Sequence, residues 1–242
     1  MKYLITSSLL DSYDWLKTCP EKWKKKSIDD FISMIRREKR PTTKACQRGI
    51  DFERLICDNC NNKSDEEFEI FVSNFYKKKQ LKDENLKNAI NVTCEIAKLC
   101  KGGEQQVPLM KDIKIDGQDY HLFGYADIIH KAKTESDCDF IYDIKTCGKF
   151  KNEDYYLRRS QHYLYSFCTN IMNFEYLVAD FGNSNFPKKN YSVNASSHLL
   201  NSEIILKERI KEVMNFIELS GLLSDYENIF TKEHKDKKGV QK

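Results

Sequence analysis

Apolar and polar positions follow two textures along the chain, and the change falls near residue 103. Before it, apolar side chains recur at helical spacing. Ser27 with Asp30 three residues on opens Ile28–Ile35, and Ser64 with Glu67 opens Phe68–Tyr76; both pairs predict capping boxes. A helix is expected from about Lys44 to Cys60, and another from about Asn85 to Leu99 that stops at Gly102-Gly103. After Gly103 the pattern turns extended. Val107–Ile115 and Tyr120–His130 predict a hairpin turning at Asp116-Gly117, and Phe140–Thr146 predicts a third strand. One helix is expected from about Glu153 to Ile171, then a strand at Phe174–Phe181 and a short one at Tyr191–Val193. Ser197 or Asn201 should cap a long amphipathic helix ending near Leu219, ahead of a frayed, lysine-rich tail. Helices, a meander of strands, then helix and strand again predict an α/β fold with a mixed sheet.

The 242 residues contain nine Gly and four Pro, with no linker-like stretch and no internal repeat. One domain is therefore expected: a helical part over 1–103, a sheet and helix over 104–193, helices over 197–230 and a tail over 231–242. Lys and Arg number 40 against 37 Asp and Glu, so the net charge is only +3. Any polyanion must then be bound by a local patch. No apolar run approaches the roughly 20 residues of a membrane span, and no export signal is evident at the start, so a cytoplasmic protein is expected. Nine cysteines in such a chain predict reduced thiols.

The most informative segment is Phe140-Ile141-Tyr142-Asp143-Ile144-Lys145-Thr146. Alternation puts Phe140, Tyr142 and Ile144 on one face of the strand and Asp143 and Lys145 on the other. Such a pair is either a surface ion pair or part of a site. Asp127, in Gly124-Tyr125-Ala126-Asp127-Ile128-Ile129, lies among residues expected to be buried, where a carboxylate needs a compensating cation or donor. Asp127 and Asp143 on adjacent strands could converge on one hard divalent cation, with Lys145 beside the attacking water. Gln161 interrupts the apolar stripe Leu157, Leu164, Tyr165 and Cys168, as a site residue or a satisfied core amide. Arg158, Arg159 and His162 fall off that stripe and could meet phosphates, or form a solvated face. Glu53 sits among Gly49, Ile50, Ile56, Cys57 and Cys60, either facing something cationic or half-exposed.

Taken in order, these features resemble the PD-(D/E)xK nuclease superfamily, in particular its RecB-like and phage exonuclease branch. The resemblance rests on Gly49-Ile50-Asp51-Phe52-Glu53, Gly124-x-x-Asp127, Asp143-Ile144-Lys145-Thr146 and Gln161-x-x-x-Tyr165, with Ser7-Ser8-Leu9-Leu10 and Cys19-Pro20 at the opening. It implies a restriction-endonuclease-like core with Mg²⁺, replaceable by Mn²⁺, held by Asp127, Asp143, the Ile144 carbonyl and Glu53. It also implies that Lys145 positions or activates the water, and that Gln161 and Tyr165 orient the site and the DNA end. Ala126 stands where the superfamily's eponymous proline would be, and Glu53 where relatives also carry His. The implied activity is hydrolysis of DNA phosphodiesters, most often from ends, in recombination, repair or phage DNA processing. Implied partners are DNA and a recombinase or single-strand-binding protein, with no membrane. Alternatives are a restriction-like or CRISPR-adaptation-type endonuclease, a non-catalytic DNA-binding protein on the same scaffold, and a helical interaction protein. Some relatives hold an iron–sulfur cluster by cysteines beyond the catalytic helix; here Cys168 is the last, so none is expected. Cys57-x-x-Cys60 has no matched second pair and is expected to pack in the core.

Overall fold

The computed structural model describes residues 2–36, 38, 41–81, 83–134 and 137–230. In chain order the elements are β1 (Lys2–Thr6), α1 (Ser7–Thr18), α2 (Glu21–Ile35), α3 (Lys44–Cys57), α4 (Asp65–Lys78), α5 (Asp83–Cys100), β2 (Glu104–Ile115), β3 (Gln118–His130), β4 (Phe140–Cys147), α6 (Asp154–Leu157), α7 (Gln161–Thr169), β5 (Phe174–Asp180), β6 (Lys189–Asn194), α8 (Ser202–Leu219) and α9 (Leu223–Phe230). The fold is α/β, with one mixed six-stranded sheet flanked by helices and a helical N-terminal part.

The hairpin forms where the pattern places it. Asp116 and Gly117 both take positive φ, +49° and +86°, the combination of a tight turn whose twist matches paired strands. From that turn β2 and β3 pair antiparallel, from Ile115↔Gln118 out to Glu104↔Ile129. A strand has two edges, and β2 fills one edge of β3. Therefore β1 and β4 must share the other, β1 in parallel against 119–123 and β4 antiparallel against 128–130. Among the described residues, 124–127 of β3 have no strand on that second edge. β4 continues into a parallel pairing with β5, and β6 closes the far side.

Each face of the sheet is covered. On one, α1, α2, α7, α8 and α9 bury Ile5, Leu9, Phe31, Ile141, Leu164 and Tyr176. On the other, α3, α4 and α5 bury Ile56, Val72, Ile96, Ile128 and Leu177. Coverage on both sides explains why β5 is apolar nearly throughout. Ser64 and Glu67 form the expected reciprocal cap of α4, at 3.2 and 2.8 Å. No helix among the described residues is long and apolar enough to cross a membrane.

Four local expectations are corrected. β1 was expected as part of a helical region. Its Tyr3-Leu4-Ile5 run is buried between the sheet edge and α9, where Tyr3 stacks on Tyr226 and the Tyr226 hydroxyl donates to the Leu4 carbonyl at 3.1 Å. Ser27 caps nothing; it is buried inside α2, which begins earlier, after Pro20. The helix expected from Lys44 to Cys60 ends at Cys57, and Ile50, expected beside Glu53, is instead exposed. The helix expected over 153–171 is two, α6 and α7, with 158–160 between them. Asn201 does precede α8, but its side chain makes no cap bond. The tail over 231–242 lies outside the described residues.

Ile5 has no exposed surface, so Ile5→Ala should cost about 2–5 kcal/mol. Urea unfolding with an unchanged slope should show it; a loss below about 1 kcal/mol would mean that β1 is dispensable to the core.

Candidate active site

Residues 124–127, the stretch of β3 that no strand covers, begin with Gly124 and end with Asp127. Ile128 pairs with Tyr142, so continued register would bring Asp127 opposite Asp143. The strands part instead. The Ile144 amide, which an unbroken ladder would spend on a β3 carbonyl, donates to Asp127 Oδ2 at 2.8 Å. Asp127 and Asp143 thus stand in the mouth of a fork, and both are buried.

Helix α7 closes the fork at Gly124. A Cβ on Gly124 would lie 2.7 Å from the Tyr165 ring, so only glycine allows that approach. One turn before Tyr165, the Gln161 amide donates to the Tyr165 hydroxyl at 2.9 Å and to Asp143 Oδ1. Gln161 is therefore a satisfied amide inside the cluster. The Lys145 ammonium lies against Asp143 Oδ2, which receives no hydrogen bond from any other described residue. From the opposite face, α3 approaches β4 through Gly49, whose Cβ position lies 3.0 Å from Thr146 Oγ1. Glu53 follows one turn later and accepts from Gln106 Nε2 at 2.7 Å; the same nitrogen stands 3.3 Å from Asp127 Oδ1.

Gln106 is the residue missed by sequence reasoning. The hairpin arithmetic contains it, since pairing 115 with 118 and counting outward sets 106 opposite 127. Its backbone leaves the ladder, with φ +51°, and its amide bridges two acids. Asp11 on α1 was missed as well. Its carboxylate accepts the Ser160 amide at 2.6 Å and lies 3.5 Å from Arg159, a contact no local pattern encodes.

Electrostatics follow from burial. Desolvation, then the charge of Asp143, pushes Asp127 well above the usual carboxylate range. Desolvation followed by Asp143 raises Glu53 too. Asp143 is also raised by burial, though Lys145 pulls the other way. Burial alone would lower Lys145, but Asp143 and Asp127 outweigh it and hold the amine above its ordinary value, protonated. Acids crowded together out of water with one ammonium and few donors are the arrangement that a hard cation relieves. Among the described residues, no three His, Cys, Asp or Glu side chains stand close enough to form a ready metal cage. The donor set suits Mg²⁺, which takes one or two carboxylates and completes its shell with water and phosphate oxygens.

Most of the sequence-derived candidates meet in this fork: Glu53, Asp127, Asp143, Ile144, Lys145, Gln161 and Tyr165. His162 does not. Restarting the helix at Ser160 turns it inward, where it is fully buried and its Nδ1 lies 2.9 Å from the Tyr176 hydroxyl. Burial pushes its pKa down to about 3, so it stays neutral and cannot serve as a phosphate contact. Arg158 is exposed, and Arg159 is half-buried against Asp11 and the Tyr155 hydroxyl; neither shares a helix with Gln161.

No family model and no curated protein sequence matches the chain. Among solved structures it is similar to one described as the crystal structure of SSO0001, at 12% identity and a TM-score of 0.44 over 89% of this chain and 77% of that one. It is also similar to Rai1 from Scheffersomyces stipitis, solved with (3'-NADP)+ and calcium ion, at 14% identity and a TM-score of 0.28 over 89% and 73%. Likenesses at that level bear on neither the site nor its chemistry.

Raised carboxyl pKa values make a signed prediction. Between the unfolded and folded values the folded state holds more protons, so stability is greatest below the unfolded value and is lost as pH rises through the folded one. With EDTA present, the thermal midpoint should fall as pH rises above about 4. Asp127→Asn should flatten that fall and melt several degrees higher at neutral pH. A variant melting lower than the parent at every pH would mean that Asp127 is structurally required rather than electrostatically strained.

Proposed function

We propose that the chain is a divalent-metal-dependent deoxyribonuclease that hydrolyses phosphodiester bonds. The resemblance of its motifs adds that it works from DNA ends. One observation carries this reading: two buried carboxylates stand where β3 and β4 part, with the Lys145 ammonium against one of them.

Asp127, Asp143 and the Ile144 carbonyl would hold Mg²⁺, with Glu53 at the margin. When bound, the ion supplies Lewis acidity and makes water a usable nucleophile at neutral pH. This chain's own groups do the rest. Gln161 fixes the rotamer of Asp143 through one oxygen, leaving the other toward Lys145. The Lys145 ammonium, raised and compact, supplies charge for the phosphoryl oxygens as negative charge builds on them. Tyr165, hydrogen-bonded to Gln161, packs its ring on Gly124 at the start of the uncovered stretch of β3 and so holds α7 against the site. Gln106, a neutral amide, donates to both Glu53 and Asp127 and so partly offsets their repulsion.

Phosphates need cations beyond the fork, and the surface supplies them. A cavity of about 420 Å³ next to Lys145 is lined by Lys149, Lys151 and Arg159. Binding through such contacts should weaken steeply with salt and carry little sequence information.

Linear duplex DNA should disappear with Mg²⁺ or Mn²⁺ and survive in EDTA, and covalently closed circles should stay intact. Nicked circles would replace the end-dependent reading with an endonuclease. Asp143→Ala should abolish cleavage while the protein still folds; cleavage at the parental rate would refute the assignment. Lys145→Ala should lower kcat by about 10²–10³ with little change in KM, since its contact strengthens only in the transition state.

A further inference from the structure

Next to the cavity beside Lys145 lies a second one of about 710 Å³, and the two share the lining residues Lys151, Tyr155 and Arg159. Together they form a trench whose walls carry seven Lys or Arg side chains against three Asp. The whole chain is only +3, so positive charge is concentrated here. Lys17, Arg159 and Arg209 are engaged by Asp11 and Asp14. Lys149, Lys151 and Arg158 have no ion pair among the described residues, and all three are exposed.

Tyr155 lines both cavities. The residue is 41% exposed, whereas its neighbour Tyr156 is buried in a stack with Phe150. The Lys151 ammonium lies 4.9 Å and the Arg159 guanidinium 4.7 Å from the Tyr155 ring centroid. Arg159 is held from behind by Asp11 and donates to the Tyr155 hydroxyl, so ring and guanidinium are fixed as a unit. An exposed aromatic ring braced by cations, on the wall that two basic cavities share and near Lys145, lies outside the buried core. Its chemistry matches one ligand: a base to stack on the ring, with phosphates on either side to meet the cations. Bases inside a duplex are already stacked and cannot reach it, whereas any unpaired base can.

We infer that Tyr155, flanked by Lys151 and Arg159, is a stacking subsite for an unpaired base, and that the trench takes a single DNA strand rather than a duplex. The subsite rests on the hydrolytic reading only for placing the scissile phosphate at Lys145; strand binding itself does not need the metal.

The test is fluorescence anisotropy of a short labelled oligothymidylate and of a blunt, hairpin-closed duplex, both in EDTA. Tyr155→Leu should weaken oligothymidylate binding about tenfold, Tyr155→Trp should retain it, and the duplex should change less than twofold. Lys151→Gln should weaken the strand and shallow its salt dependence by about 0.7 in log–log slope. Circular dichroism melts should match the parent, because Tyr155 is half-exposed. Oligothymidylate binding that is absent, or indifferent to Tyr155→Leu, would overturn the subsite even if the protein cleaves DNA. So would equal weakening of both ligands. If the parent cleaves nothing with Mg²⁺ or Mn²⁺ but Tyr155→Leu still loses the strand, the subsite stands and the hydrolytic reading falls.

Discussion

Two carboxylates are kept out of water at a point where β3 and β4 stop pairing, and much of the structure serves to make that tolerable. Asp127 receives a backbone amide in place of a ladder bond, Asp143 receives an amide and an ammonium, and Gln106 lies between Asp127 and Glu53. Even so, burial and mutual repulsion leave the acids raised above their ordinary range. Burying charge without full compensation is costly, and a fold that needed only stability would put apolar side chains here. That cost is what the proposed cation site would account for and a structural ion pair would not.

The sheet's topology creates the fork. β2 monopolises one edge of β3, and β1 and β4 divide the other without meeting. The uncovered residues between them are the ones where Gly124 admits the Tyr165 ring and Asp127 presents its carboxylate. β1 is thus more than an edge strand, since its end fixes where the uncovered stretch begins. Helices from both faces then converge on it, α7 with Gln161 and Tyr165, α3 with Glu53.

Much of this was legible in the sequence. Period-two alternation in 140–146 and the turn at Asp116-Gly117 set the faces of β4 and the β2–β3 register by local rules, while the convergence of Asp127 on Asp143 and Lys145 was an expectation to which the motif resemblance gave weight. What was not legible depends on distant parts of the chain. Tyr3-Leu4-Ile5 is a short apolar run that suits a helix or a strand equally until its partner is known. The break before α7 is made by Asp11, which takes the Ser160 amide from 149 residues away, and by Arg209, which donates to the Ser160 hydroxyl at 2.6 Å. That break reverses the role of His162, which the unbroken helical wheel puts on the surface. Gln106 was recoverable in principle, because the hairpin register already sets it beside Asp127.

The central claim is that a divalent cation belongs in the fork. Anomalous diffraction from crystals soaked in Mn²⁺ addresses it directly, without depending on any substrate or activity. The account predicts a single strong peak within bonding distance of both Asp127 and Asp143, with the Gln106 amide displaced from Asp127. Fully occupied Mn²⁺ elsewhere, or a fork still bridged by Gln106 and Lys145 at saturating metal, would contradict it.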